Sequence, residues 1–437
     1  MLVVAAACNE LTVARFVSGD GILESTTTWT IRGLQALLAL SGIILLAVRP
    51  APPRDRLSAA IGFTACFVYI AFGAWYAFGN PQLNWDMLPY IASAMSYEET
   101  NVELIHRETY EAARQAGAVI TGNNYMDDMA ANADHFHQQL PGFQVKPLYI
   151  ALIYAVHKTG ISYVNSSVLI SVISSCAIFW VIAIWLARFT EGVLWGLLTI
   201  CSAGLSGLIP TARLSTPDGL SALLILGSLF VLIERQAPIL SSLILAASLL
   251  ARPDNLILAL VVITYLIVVG PREYALSSRM FAFFALGMIV IAVTVNLLSG
   301  FQGWWAIFNH SFRNLLGSPQ RITRSSSISS FTYVLYTSLT QILLFEWGWA
   351  FLGLCVVLVL GSVPVRFRGK NIYSHVALAL ALALIARLAV YPQWSNRFFV
   401  AYYAFGVIAL VQMSTSLRRE ASEPPPPVKS GRKLQFS

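Results

Sequence analysis

Apolar runs of roughly 15 to 25 residues, separated by short polar stretches, recur from near residue 30 almost to the C-terminus. Read against their flanks they predict about eleven spans, near 30–48, 57–78, 163–187, 192–210, 217–234, 237–251, 254–270, 280–298, 340–362, 372–390 and 398–417. The runs are continuous, with no strand-like alternation. The expected fold is therefore all-α, a polytopic transmembrane helical bundle of about ten or eleven spans.

The polar intervals set an orientation. "RPAPPRDR", "ARFTEG", "IERQ", "PREYALSSR", "RFRGK" and the tail fall on one side when the spans alternate, and they carry most of the Lys and Arg near span ends. Positive charge marks the cytoplasmic side. The other side receives two long loops, 79–162 and 299–339. If the first run lies in the interface, the remaining ten still alternate. Residues 1–56 are thus an N-terminal segment with an extra span, 57–417 the transmembrane domain, and 418–437 a proline-rich cytoplasmic tail of extended character.

The first outer loop has structure of its own. "TNVELIHRETYEAARQAG" places Thr100 and Glu103 in capping-box spacing and Val102, Ile105, Thr109, Ala112 and Ala116 at helical period, so it reads as an amphipathic surface helix. A second short helix is expected to start at Pro147 in "KPLYIALIYAVHK".

Composition agrees with a membrane protein: 57% of the 437 residues are hydrophobic and 11% charged, with a mean hydropathy of +0.68. The five cysteines are scattered, with no CxxC pair, and read as small core residues. The net charge of +7 forms no basic stripe, so no nucleic-acid partner is expected. There is no GxxxxGK[ST] phosphate loop and no HExxH.

Charges near apolar spans are expensive, and here they gather at one face. Asp86 in "NWDMLPYIASAM", Lys146, Asp218, the pair Arg252 and Asp254, Arg387 and Arg397 all fall on the outer leaflet of the alternating pattern. Each has an ordinary reading: helix capping for Asp86 and Asp218, satisfaction of a proline-broken helix for Arg252 and Asp254, snorkelling or interfacial anchoring for Arg387 and Arg397, and lipid phosphate for Lys146. Their coincidence at one depth from separated segments favours a site. Apolar neighbours that exclude water also suit Asp86 to work as a base. Acids and cations at the outer face suit glycosyl transfer from a lipid-linked sugar, in which a carboxylate takes the acceptor proton and cations stabilise the departing polyprenyl phosphate.

The order of these features resembles the GT-C superfamily of polytopic glycosyltransferases that use polyprenyl-phosphate sugars. Asp86 matches the catalytic acid that opens their first outer loop. "QVKPLYIAL" is similar to the lysine-proline step of the aminoarabinose and protein-O-mannosyl-type branches, which implies a donor-phosphate role for Lys146. "LSTPDGLSALLIL" and "AASLLARPDNLILAL" look like the family's outer Asp segment and broken helix pair, and "PQWSNRFFVAYY" like its late Arg-aromatic segment. The resemblance implies that Asp218 and Asp254 orient sugar hydroxyls or a cation. Pro89 stands where the aminoarabinose branch has an arginine, so the cation completing the phosphate site is left among Arg252, His310, Arg387 and Arg397.

Asp134, His135 and His137 in "ADHFHQQ", preceded by Asp127 and Asp128, are a candidate divalent-cation site if the two histidines point the same way on an extended segment; a solvated loop is the plainer reading. In "GWWAIFNHSFRNLL", Trp304 and Trp305 read as interfacial anchors, or as sugar-stacking rings with His310 or Arg313 on phosphate. The expected function is an inverting transferase at the outer face of a bacterial cytoplasmic membrane. Its partners are membrane lipids, the polyprenyl-phosphate-linked donor and a glycan, lipid or protein acceptor; no cofactor is required beyond that candidate cation. The rivals are a transporter or lipid-linked saccharide flippase, and an O-antigen-type polymerase or ligase.

Overall fold

The computed structural model describes residues 56–300 apart from 119, 121, 123, 272, 273 and 275, together with 303, 308, 328–344, 371–391 and 395–422. Among these residues every regular element is helical, and the one bridge of strand type joins Gln82 to Leu214. The expected span at 30–48, most of 340–362, and His310, Trp304, Trp305 and Arg313 lie outside the described residues.

In chain order the helices are α1 (Arg56–Gly79), α2 (Met87–Met95), α3 (Val102–Gln115), α4 (Asn124–Ala131), α5 (Ala133–Gln139), α6 (Pro141–Gln144), α7 (Pro147–His157), α8 (Tyr163–Leu186), α9 (Gly192–Leu205), α10 (Leu208–Arg213), α11 (Asp218–Arg235), α12 (Pro238–Ala251), α13 (Asn255–Val268), α14 (Ser278–Leu298), α15 (Ile328–Leu344), α16 (Ile372–Val390) and α17 (Val400–Ser422). Four of them, α1, α8, α14 and α16, are long and apolar enough to cross a membrane. Outward faces such as Trp75 on α1 and Phe283 and Leu297 on α14 expose apolar side chains, as a lipid-facing surface does.

Several expected runs divide or shift, each for a local reason. The run 192–210 breaks after α9, where Gly207 adopts the left-handed φ of 65° and α10 begins. The runs 237–251 and 254–270 become α12 and α13, interrupted at Arg252-Pro253-Asp254, where the residue before proline is held extended (φ −152°, ψ 113°). Fourteen residues reach only about 21 Å, short of the roughly 30 Å hydrocarbon core. α15 occupies part of the expected outer loop 299–339. Its Ser and Thr content reads as polar, but Thr332, Thr337 and Thr340 return their hydroxyls to carbonyls one turn back at 2.8–3.0 Å, so the helix continues through them. The expected tail from 418 begins as helix, since α17 runs to Ser422.

The first outer loop folds as a small helical layer. α3 is capped by Asn101, not by Thr100: the Asn101 side chain accepts from the Leu104 N–H at 2.9 Å, and Glu99 takes the N–H groups of Thr100 and Asn101. Its buried stripe is Ile105, Thr109, Tyr110 and Ala113. Of these, Ile105, Tyr110 and Ala113 share a core with Met87, Ile91, Tyr125, Met129 and Phe136. The start at Pro147 is as expected, and α7 joins the layer to the bundle through Tyr149, Ile150 and Ile153 against Tyr90, Ile170 and Leu220.

Within the bundle α1 crosses α9 at glycines. A Cβ on Gly196 would stand 2.7 Å from the Gly62 carbonyl oxygen, and one on Gly62 would stand 2.3 Å from that of Gly192. Small residues four apart let the two backbones touch, a contact that apolar lipid cannot replace. At the far end of α11, Glu234 accepts hydrogen bonds from Trp185 Nε1 at 2.9 Å and the Tyr373 hydroxyl at 2.5 Å, tying α8, α11 and α16 together.

Gly196→Ala is expected to lower stability by ~1–3 kcal/mol through overpacking. Gly227→Ala, whose Cβ would meet nothing within 4 Å, is expected to hold or raise it by a few tenths to ~1 kcal/mol through helix propensity. Unfolding midpoints of the two variants in the same detergent check the pair.

Candidate active site at one end of the bundle

The site is assembled by chain breaks. α1 ends at Gly79, and the following strand-like segment is tied to the α10–α11 connection: the Gln82 N–H donates to the Arg213 carbonyl at 2.8 Å and Arg213 Nε donates to the Asn80 carbonyl at 2.8 Å. This brings Asp86, which precedes α2, beside Asp218, which opens α11. The Arg252-Pro253-Asp254 turn, Arg387 in the last turn of α16 and the short 3-10 turn Asn396–Phe398 arrive at the same end.

Six of the expected charges form one alternating chain. Asp86 Oδ2 accepts from Arg397 Nη2 at 2.9 Å. Arg397 Nε lies 3.4 Å from Asp218 Oδ2. Asp218, its side chain only 2% exposed, also accepts from Arg252 and from the Thr216 hydroxyl at 2.7 Å. Arg252 in turn clasps Asp254 with Nε and Nη2 at 3.0 and 2.9 Å, and Arg387 Nε reaches Asp254 at 3.1 Å. The capping readings of the sequence do not describe these side chains: neither Asp86 nor Asp254 makes a side-chain cap bond, and both give their oxygens to guanidiniums.

Lys146 reaches the same region by a different partner. Its Nζ donates to the Tyr90 hydroxyl at 2.6 Å and stands over the rings of Tyr90 and Phe143 at 4.9 and 5.0 Å. Tyr90 lies one helical turn beyond Asp86, on the same side of α2. Among the described residues no carboxylate stands within ion-pair distance of Lys146. Burial, and then the neighbouring charge of Arg252, push its ammonium down to about 8, against the pull of Asp86, Asp218 and Asp254. Three carboxylates against four cations leave the cluster with one positive charge in excess.

Phe398 is the residue that the charge pattern did not announce. Its ring centroid lies 4.1 Å from the guanidinium carbon of Arg252, 4.9 Å from that of Arg387 and 5.2 Å from that of Arg397. The aromatic pair in "NRFF" was its one sequence signal.

The candidate metal residues stand elsewhere and in another geometry. Asp134, His135 and His137 belong to helix α5, not to an extended segment, and two positions apart on a helix the histidines point in different directions. Asn132 caps that helix through the His135 N–H at 3.0 Å, which explains why it forms. His135 Nδ1 pairs with Asp128 Oδ2 at 2.9 Å, and no group of three His, Cys, Asp or Glu suited to a metal occurs among the described residues. His310, the remaining phosphate candidate, lies outside them.

The fold and cluster define a helical membrane-type bundle with an ionisable cluster at one end. No family model, curated protein or solved structure matches the chain.

Arg252→Met takes a partner from the buried Asp218 and the partly buried Asp254 and is expected to destabilise by up to ~3–5 kcal/mol. Asp218→Asn combined with Arg252→Gln is expected to cost less than the sum of its parts, a coupling that a double-mutant cycle measures. Held down to about 8 in the folded chain, the Lys146 ammonium gives up its proton at lower pH there than in the unfolded chain, where its ordinary value is 10.5. Between those values the unfolded state holds more protons, so the stability of the wild type relative to Lys146→Met is expected to rise with pH across that window. Paired denaturation curves in detergent at several pH values check the sign.

Proposed function

We propose that the chain is a membrane glycosyltransferase that moves a sugar from a polyprenyl-phosphate donor to an acceptor hydroxyl on a glycan, lipid or protein, at the extracytoplasmic face of a bacterial membrane. The observation that carries the reading is the convergence of Asp86, Asp218, Asp254, Arg252, Arg387, Arg397 and Lys146 from distant segments into one cluster at one end of an apolar bundle. A donor held by its lipid tail carries its phosphate at the headgroup level, and such a cluster meets it there.

In this reading Asp86 removes the proton of the acceptor hydroxyl as its oxygen bonds the anomeric carbon. The bond from that carbon to the phosphate oxygen breaks in the same displacement, inverting the centre, and the polyprenyl phosphate leaves with the electron pair. Lys146 and the nearest guanidinium, Arg252 or Arg397, stabilise that anion. Asp218 and Asp254 keep the arginines in place and face the sugar. The order of motifs shared with GT-C enzymes supports the assignment, and so does the excess of one positive charge, which an anionic leaving group neutralises. A transporter or flippase is less well supported, because such proteins gather ionisable groups near the midplane between repeated halves, whereas these charges lie at helix ends. An O-antigen-type polymerase or ligase shares such an outer site but leans on arginines more than on one early acid, so the place of Asp86 in the cluster favours the transferase.

The full chain in nanodiscs, offered a panel of polyprenyl-phosphate hexoses and pentoses, is expected to release polyprenyl phosphate. Asp86→Asn is expected to slow that release by about 10²–10⁴-fold while leaving donor affinity within a few-fold. Release by Asp86→Asn at the wild-type rate overturns the base assignment.

A further inference from the structure

The cluster poses a problem that its carboxylates only partly solve. Three guanidiniums from three separate segments, Arg252 at the α12–α13 break, Arg387 at the end of α16 and Arg397 in the 3-10 turn, converge on one spot and repel one another. The three aspartates separate them in the chain of pairs, yet Arg252 and Arg397 share Asp218, and Arg252 and Arg387 share Asp254. What all three arginines have in common is the Phe398 ring, with centroid distances of 4.1, 4.9 and 5.2 Å. A π-face attracts cations without neutralising them, and unlike a fourth carboxylate it leaves their charge free to act on a ligand.

We infer that Phe398 is a positioning residue for anion binding: its ring gathers Arg252, Arg387 and Arg397 without adding a further carboxylate, so that the one positive charge by which the cluster, Lys146 included, exceeds its aspartates is left to the phosphate of the lipid-linked donor. The inference rests on the proposed transferase reading for the identity of the anion. Its own content is that the ring acts through its electrons and not through its volume. The short 3-10 turn supplies the rigidity this requires, since the Phe398 N–H is bonded to the Ser395 carbonyl at 3.0 Å and the next residue, Phe399, is fully buried and packs its own ring 5.0 Å from Arg387. The position of Phe398 is thereby set by the backbone on one side and by Phe399 on the other.

The test is binding of a radiolabelled long-chain polyprenyl monophosphate to the full chain in nanodiscs, with the uncharged polyprenol of equal length as reference. Phe398→Leu is expected to weaken phosphate binding about tenfold or more, Phe398→Tyr and Phe398→Trp to stay within about threefold of wild type, and polyprenol binding to be unchanged in all three. Because Phe398→Leu also alters packing, a series of progressively fluorinated phenylalanines at position 398, nearly constant in shape, provides the second arm. Phosphate affinity is expected to fall stepwise as the π-face is depleted, a response that a merely structural ring does not give. Unchanged affinity along that series, or failure of both aromatic variants to keep it, overturns the positioning role. A wild type that does not distinguish polyprenyl phosphate from polyprenol overturns instead the donor reading on which the role rests.

Discussion

A charge carried to the end of an apolar bundle is tolerated only where an opposite charge meets it, and this constraint organises the molecule from Asp86 to Arg397. Asp86, Arg397, Asp218, Arg252, Asp254 and Arg387 alternate in sign through an unbroken series of contacts. The backbone features around them follow from that series. The extended residue before Pro253, the 3-10 turn before α17 and the backbone tie between Gln82 and Arg213 each bring one charged side chain to the others. Buried ion pairs add little net stability compared with apolar packing of the same volume. A bundle that needed only to hold together has cheaper contacts at hand, such as the glycine crossing of α1 and α9.

The helix α11 gives the arrangement its depth. Asp218 stands at its first residue and Glu234 near its last, sixteen positions or roughly 24 Å apart along the axis. Each end carries a polar cluster, the ion-pair chain at one and the Trp185–Glu234–Tyr373 group at the other. The separation falls somewhat short of the ~30 Å thickness of a hydrocarbon core, and the stretch between them is mostly apolar. The same spacing keeps the two clusters from acting on each other directly.

Much of this was legible in the chain. Apolar runs marked many of the helices to within a few residues because apolar side chains on both the inward and the outward faces leave a continuous signal, and Pro147 marked α7 because proline fixes a helix start. The charges now joined in the chain of ion pairs were recognisable by their cost in an apolar setting. Their pairing was not, because which guanidinium meets which carboxylate depends on segments up to 311 positions apart. α15 was hidden by hydroxyls that satisfy themselves within the helix, the α3 cap by two adjacent residues that both cap well, and the directions of His135 and His137 by a helix of seven residues too short to show a period. Phe398 showed only as half of an aromatic pair, for a different reason: an aromatic residue in a greasy sequence carries no mark of what its face will touch.

The pairing also ranks the three aspartates, which the sequence leaves equal. Asp218 is almost wholly enclosed and is shared by Arg252, Arg397 and Thr216, while Asp254 takes three hydrogen bonds from two arginines. Protonating either removes charge from the middle of the series and costs two arginines a partner at once. Asp86 ends the series, a third of its side chain is exposed, and its one ion pair among the described residues is with Arg397, which still has Asp218 when Asp86 lets go. A base must give up a partner as it takes a proton, and the terminal carboxylate does so at the least expense to its neighbours. In the proposed transferase reading, Asp86 is thereby the member of the cluster suited to proton transfer, and the two interior aspartates are suited to holding the cations still.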